Sequence, residues 1–226
     1  MNSDDLYDAF RSDVVDAAAP YLWTDDEVFR CMADAHCRFV RNIGGIPDRS
    51  SDATRVAIVA GEQDADLDPT ILRIMSARRV SDGRQIKVIN ENDAAFAVGS
   101  DYGNRPPIYE DNSAGEVLFM MIGQEHGTCR WVRKPVANDT AQLTVYRLPS
   151  DVADGPGKEI TDVGEEHHIR LLDWMKHLAY KKQDAETFNK SASDLGEKNF
   201  NDYCAFVKAE WNRYKHKTRV VHYGGL

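Results

Sequence analysis

Apolar residues recur at helical spacing near both ends of the chain and at strand spacing in between. Leu6, Phe10 and Val14 stand four apart, with Ser3 placed to cap and Pro20 placed to stop, which predicts an amphipathic helix over residues 4 to 17. Val28, Met32, Ala35, Phe39 and Ile43 form a second stripe. Ahead of it, Thr24-Asp25-Asp26-Glu27 reads as a capping box: the Thr24 hydroxyl accepts from the backbone of residue 27 while the Glu27 carboxylate reaches back, and Trp23 staples onto Val28. Gly44-Gly45 and Pro47 end that helix.

From residue 53 to residue 149 the period changes. Residues 54–60, 71–80, 84–90, 117–122, 128–132 and 142–148 are short runs rich in β-branched and apolar side chains, separated by turn residues. Ser81-Asp82-Gly83 predicts one hairpin and the segment from Gly123 to Gly127 another. With no helical pattern between them, these runs predict an antiparallel β module of about six strands. Residues 99 to 115, with Pro106-Pro107 and several Asp and Asn, read as a long exposed loop of the kind that serves as a binding element or a mobile tip.

A Gly-, Pro- and Asp-rich linker over 151–164 precedes a return to helix over 165–183. There Leu171, Leu172, Trp174, Met175, Leu178 and Ala179 cover so broad an arc that the helix must pack on more than one side. Ser191 is placed to cap a last helix carrying Phe200, Tyr203, Val207, Trp211 and Tyr214. The expected fold is α+β. A helical bundle is formed by both chain ends (1–50 and 151–214), an antiparallel β module (51–150) with loop 99–115 is inserted in it, and residues 215–226 form an extended arm.

Charge adds the next distinction. The 226 residues carry a formal net charge of −9, which argues against a general nucleic-acid binder. Residues 1–34 hold nine acids against Arg11 and Arg30, a balance of −7, whereas residues 213–226 hold four Lys/Arg, two His and no acid. Within that basic tail Arg219-Val220-Val221-His222-Tyr223 has strand chemistry, and a lone strand has to find a sheet elsewhere. No apolar run approaches the roughly 20 residues of a membrane-spanning helix. The acidic start, Met1-Asn2-Ser3-Asp4-Asp5, lacks the pattern of a secretory signal, which predicts a cytoplasmic chain. Cys31, Cys37, Cys129 and Cys204 are scattered without a CxxC pair and read as small buried residues.

Catalytic signatures are missing: the sequence has no GxSxG elbow, Walker phosphate loop, GxGxxG or HExxH. Glu165-Glu166-His167-His168 offers ligand-type residues, but neighbours on a helix point about 100° apart, so the two histidines do not share an ion unaided. Cys31, His36 and Cys37 do not fall on one helical face, and Asp4, Asp5, Asp8, Asp13 and Asp16 read as the solvated acids of a first helix. Arg130, Trp131, Arg133 and Lys134 form a basic, aromatic strand that reads as the exposed side of a sheet. No catalytic residue, metal ligand or cofactor is assigned.

Tyr21-Leu22-Trp23-Thr24-Asp25-Asp26-Glu27, the helix running to Gly44-Gly45-Ile46-Pro47, His167-His168-Ile169, the segment from Leu172 to Tyr180, the segment from Lys182 to Phe188 and the closing His216-Lys217-Thr218-Arg219-Val220-Val221 together resemble the head-to-tail adaptor proteins of tailed double-stranded DNA bacteriophages. The resemblance spans most of the chain, and its motifs are packing and capping motifs. It implies a structural virion protein forming a ring, typically twelve-fold, beneath the portal at the head-tail interface. Such a ring joins the portal to a tail nozzle or tube protein and lines the channel through which double-stranded DNA passes without sequence-specific binding. It further implies assembly in the host cytoplasm with no membrane step, and portal docking by Lys215, Lys217, Arg219, Val220, Val221 and Tyr223. Two other readings stand beside it: a phage-encoded metal-dependent hydrolase or nuclease built on Glu165 and His168, and a tail-tube or nozzle subunit.

Overall fold

The computed structural model describes residues 1–90, 112–183 and 187–215. It is α+β and divides into two compact units, Met1–Gly44 with Pro149–Leu226, and Gly45–Leu148.

The first unit is helical: α1 (Ser3–Asp13), α2 (Asp25–Ile43), α3 (Glu165–His168), α4 (Leu171–Lys181) and α5 (Lys190–Lys215). α4 packs against α1, α2 and α5, so Leu171, Leu172, Trp174, Met175 and Ala179 are all buried around its circumference. From α2 come Val28, Met32, Ala35, Phe39, Val40 and Ile43, and from α5 Phe200, Cys204 and Val207. Aromatic rings knit the helices: Trp174 and Phe200 lie 5.0 Å apart, Phe39 and Phe200 6.3 Å. α5 comes so close to α4 at Gly196 that a Cβ there would stand 2.6 Å from the backbone oxygen of Asp173. Gly44 ends α2 in the left-handed region at φ 103°, its N–H returning to the last carbonyls of the helix.

Three helix boundaries differ from the sequence expectation. α1 stops at Asp13 because the Asp16 N–H turns back to the Arg11 carbonyl, and its cap is Asn2, which exchanges hydrogen bonds with Asp5 in a capping box. Ser3 is instead buried, its hydroxyl accepting from the Lys158 N–H. The helix expected over 165–183 breaks between α3 and α4, and Asn189, not Ser191, caps α5 by accepting from the Ala192 N–H.

Among the described residues the second unit has ten strands: β1 (Ile46–Asp48), β2 (Arg55–Ile58), β3 (Asp64–Asp66), β4 (Ile71–Arg79), β5 (Gln85–Asn90), β6 (Ala114–Gly115), β7 (Phe119–Ile122), β8 (Thr128–Trp131), β9 (Lys134–Pro135) and β10 (Asp139–Arg147). Eight form a curled sheet in the order β1-β10-β4-β5-β7-β8-β3, with β2 also paired to β10, and β6 pairs with β9. The antiparallel expectation needs correcting: the sheet is mixed, because β5 and β7 run parallel, as do β6 and β9. Residues 91–118 separate β5 from β7, a connection long enough for the crossover that a parallel pair needs. The expected loop 99–115 falls mostly on residues 91–111, outside the described residues.

One side of this sheet encloses the core, made of Val56, Ile58, Ala77, Ile86, Met120, Trp131, Leu143 and Val145 with their neighbours. β10 alternates cleanly, Ala141, Leu143 and Val145 inward and Thr140, Gln142 and Thr144 outward. β4 runs beside it with two register shifts, between Ser76 and Ile74 and between Arg73 and Ile71, which leave Met75 and Leu72 without partners in the ladder and exposed. At the β1 end Arg147 bonds Asp48 at 2.5 Å. Burial opposes ionisation of Asp48, but hydrogen bonds from the Ser50 and Ser51 backbones and from Arg147 outweigh it and hold the carboxyl well below its usual range.

Candidate functional site

The segment from Tyr21 to Glu27 fastens three helices of the helical unit together. Arg11 of α1 is buried and ion-pairs with the equally buried Asp16 and, at 2.8 Å, with Asp25 at the start of α2. Its guanidinium lies 4.2 Å from the centre of the Tyr21 ring and 4.9 Å from that of Tyr7, and the Tyr7 hydroxyl donates to Asp25 at 2.5 Å. The Asp16 carboxylate accepts from the Leu22 N–H at 2.9 Å and the Trp23 N–H at 3.4 Å. Trp23 then donates through Nε1 to the Ala179 carbonyl of α4 at 3.2 Å. At the next position the Thr24 hydroxyl accepts from the Glu27 N–H, and the Glu27 carboxylate accepts from the Thr24 N–H and from Lys182 Nζ at 2.8 Å.

Electrostatics match this geometry. The Tyr7 hydroxyl and then Arg11 hold the Asp25 carboxyl below its ordinary range, and Lys182 followed by the Thr24 backbone does the same for Glu27. Partial burial and the bond to Asp25 push the Tyr7 phenol up. Every acid of the motif except Asp26 is thus committed to a cation, a phenol or a helix end. The arrangement is a clasp; none of these groups is poised for proton transfer.

The clasp also holds a loop open to solvent. Val15, Ala17, Ala18, Ala19, Pro20, Tyr21 and Leu22 are all exposed and uncharged, while Asp16 in their midst is buried. Val15 takes φ 57°, unusual for a β-branched side chain, and is 89% exposed.

The other polar clusters do not converge. His167 Nδ1 lies 2.9 Å from the Tyr203 hydroxyl and His168 Nε2 lies 2.8 Å from the Val163 carbonyl, whereas the Glu165 and Glu166 side chains are 88% and 72% exposed. Glu165 and His168, the pair behind the hydrolase reading, therefore face different surroundings. His36 is fully buried, and neither ring nitrogen has a hydrogen-bond partner among the described residues. Desolvation depresses it to about 4, with smaller influences from Asp162, His168 and Asp151. Burial pushes the thiols of Cys31 and Cys204 up to about 11 and that of Cys129 up to about 12, so all three are poor nucleophiles at neutral pH. Among the described residues no three His, Cys, Asp or Glu are placed to hold a metal ion, and no helix is long and apolar enough to cross a membrane. On β8 Trp131 belongs to the core and Arg130 bonds Asp64 at 3.0 Å, so that strand presents no combined basic and aromatic face.

Asp4 accepts from the Gly157 N–H, Asp5 accepts from the Asn2 N–H in the capping box of α1, and Asp13 bonds Lys176 at 2.6 Å. The expected acidic helix is therefore largely anchored, with Asp8 left to solvent. Lys215 ends α5; Lys217, Arg219, Val220, Val221 and Tyr223 lie outside the described residues.

A family model described as SU10 adaptor protein matches residues 1–210. The chain belongs to the SU10 adaptor protein family. No curated protein matches it. Membership of this adaptor family gives the chain a structural role as a phage adaptor and a place among virion components; the family is not an enzyme family. The matched span contains the whole clasp from Arg11 to Glu27 and its docking point on α4. Sequence reading found the Thr24 and Glu27 cap but missed Arg11 and Asp16. The available signal was a single arginine on an acidic helix with an aspartate five residues beyond it, in a segment with no glycine to explain the turn.

Proposed function

We propose that this adaptor-family chain forms a ring beneath the portal, joins the capsid to a tail nozzle or tube protein, and lines the channel through which the genome leaves. The observation that carries this reading is the family match over residues 1–210. A net charge of −9 suits the role, because a predominantly acidic wall does not hold the phosphates of passing DNA. A ring, twelve-fold in the expectation from sequence, multiplies each modest contact by avidity. The chain assembles onto filled heads in the host cytoplasm and takes no cofactor.

Attachment to the portal is assigned to Lys215, Lys217, Arg219, Val220, Val221 and Tyr223. All six lie past the matched span, so their role rests on their own chemistry: strand-forming residues gain backbone hydrogen bonds at a partner's sheet edge, and the basic side chains suit an acidic surface. The test is to delete residues 218–226 and mix the shortened protein with DNA-filled heads. The shortened chain is expected to keep the wild-type fold and to leave heads leaking DNA; retention of DNA at the wild-type level would remove the docking role.

A further inference from the structure

Across β2, β10, β4 and β5 the outward side of the curled sheet has an unusual charge for this chain, whereas on β3 the outward positions are the acids Asp64 and Asp66. Facing away from the core are Arg55 and Ala57 on β2, Thr140, Gln142 and Thr144 on β10, Arg73, Ser76 and Arg78 on β4, and Gln85 and Lys87 on β5. No acid occupies an outward position on these four strands, although the chain has 37 acids against 28 Lys/Arg. Arg73, Arg78 and Lys87 form no ion pair among the described residues, and Arg55 has only the fully exposed Asp52 at 3.6 Å. The register shifts of β4 leave Met75, between Arg73 and Arg78, 48% exposed and Leu72, next to Arg73 on its other side, 37% exposed. The face thus sets two exposed apolar side chains among cations.

We infer that this face receives the acidic α1–α2 end of a second copy of the chain. That end has the complementary composition: the exposed acids Asp8 and Asp26 lack a cation partner among the described residues, and the loop beside them presents Val15, Tyr21 and Leu22. Acid meets base and apolar meets apolar across such a contact, so the two surfaces are complementary in both respects. The clasp supports this because Arg11 and Asp16 hold the loop in one shape before binding, which lowers the entropy lost on association. Duplex DNA is the less suitable occupant: phosphates gain nothing from Leu72 and Met75, and the rest of the chain repels them. Two different patches in contact make a head-to-tail interface, which repeats until the ring closes. The inference rests on the ring reading and names the surfaces that would build it.

Charge exchange tests it. Two double variants, Arg73→Glu/Arg78→Glu and Asp8→Lys/Asp26→Lys, are compared with wild type by native mass spectrometry over a concentration series, alone and with portal. Each variant alone is expected to need at least about tenfold more protein to assemble than wild type. Their equimolar mixture is expected to recover assembly as an alternating ring, since each reversed face then meets its opposite; recovery also shows that both variants are folded. If wild type forms rings and both variants do so equally well, the proposed surfaces are wrong while the ring reading stands. A wild-type protein that stays monomeric even with portal overturns the ring reading itself. Loss of duplex DNA binding in Arg73→Glu/Arg78→Glu with assembly unchanged overturns the proposal in favour of nucleic acid at this face.

Discussion

The helical unit and the outward sheet face of the second unit treat charge in opposite ways. In the helical unit, cations are turned inward or across: Arg11 to Asp16 and Asp25, Lys176 to Asp13, Lys182 to Glu27. On the outward sheet face Arg73, Arg78 and Lys87 stand with no such partner among the described residues. The first use of charge fixes which helix goes where, because a buried ion tolerates only the arrangement that pairs it. The second leaves binding capacity on the surface, since an exposed arginine adds little to the stability of its own fold.

If that contrast is right, the largest effect belongs to the clasp. Asp16→Ala strips the partner from the buried Arg11 guanidinium and frees the Leu22 and Trp23 N–H groups, so urea unfolding should show a loss of about 3–5 kcal/mol. A loss below about 1 kcal/mol would mean that Arg11 is hydrated and the clasp is not a buried network.

The next effect is a dependence on pH. His36 is neutral and buried in the fold and ionises only near pH 4, whereas in the unfolded chain it takes up a proton near 6.5. Its depressed value therefore leaves stability whole above about pH 6.5 and removes it as pH falls toward 4, by about 3 kcal/mol in all. Asp162 and Asp151 oppose this loss and His168 adds to it. From pH 7.5 to pH 4.5 the unfolding midpoint of wild type should fall relative to that of His36→Leu; parallel curves would show that His36 does not titrate in this way.

Smaller still is the cap. Thr24→Ala removes one acceptor at the start of α2 while leaving the Glu27 bond to Lys182, and should cost about 1 kcal/mol in the same unfolding assay. Arg78→Ala on the sheet face should leave unfolding within about 0.5 kcal/mol of wild type. A larger loss there would break the contrast, showing that the outward arginines serve the fold after all.

What the sequence disclosed follows the same division between local and distant interactions. Helical stripes such as Val28 to Ile43, the Thr24 and Glu27 pairing and the turns at Gly83 and between Gly123 and Gly127 depend on neighbours a few residues apart, and they could be read directly. The parallel pairing of β5 with β7, the pairing of β10 with β2 and the pairing of β3 with β8 depend on residues far apart in sequence, which local period does not encode. Arg11 illustrates the point: beside five aspartates it reads as one more surface charge, and only the fold reveals that it is buried and paired with Asp16 and with Asp25 of the next helix. The cationic sheet face escaped for a related reason, because Arg55, Arg73, Arg78 and Lys87 lie on three strands and become neighbours only once β10, β4 and β5 are paired.

As proposed, this adaptor-family chain forms the ring between portal and tail. Imaging the vertex of DNA-filled particles, with the chain fitted into the density, tests it most directly. The account predicts a ring of copies immediately below the portal, with the outward sheet face of each copy against the α1–α2 end of the next. Density for the chain within the tail tube, or its absence from the vertex, would contradict it.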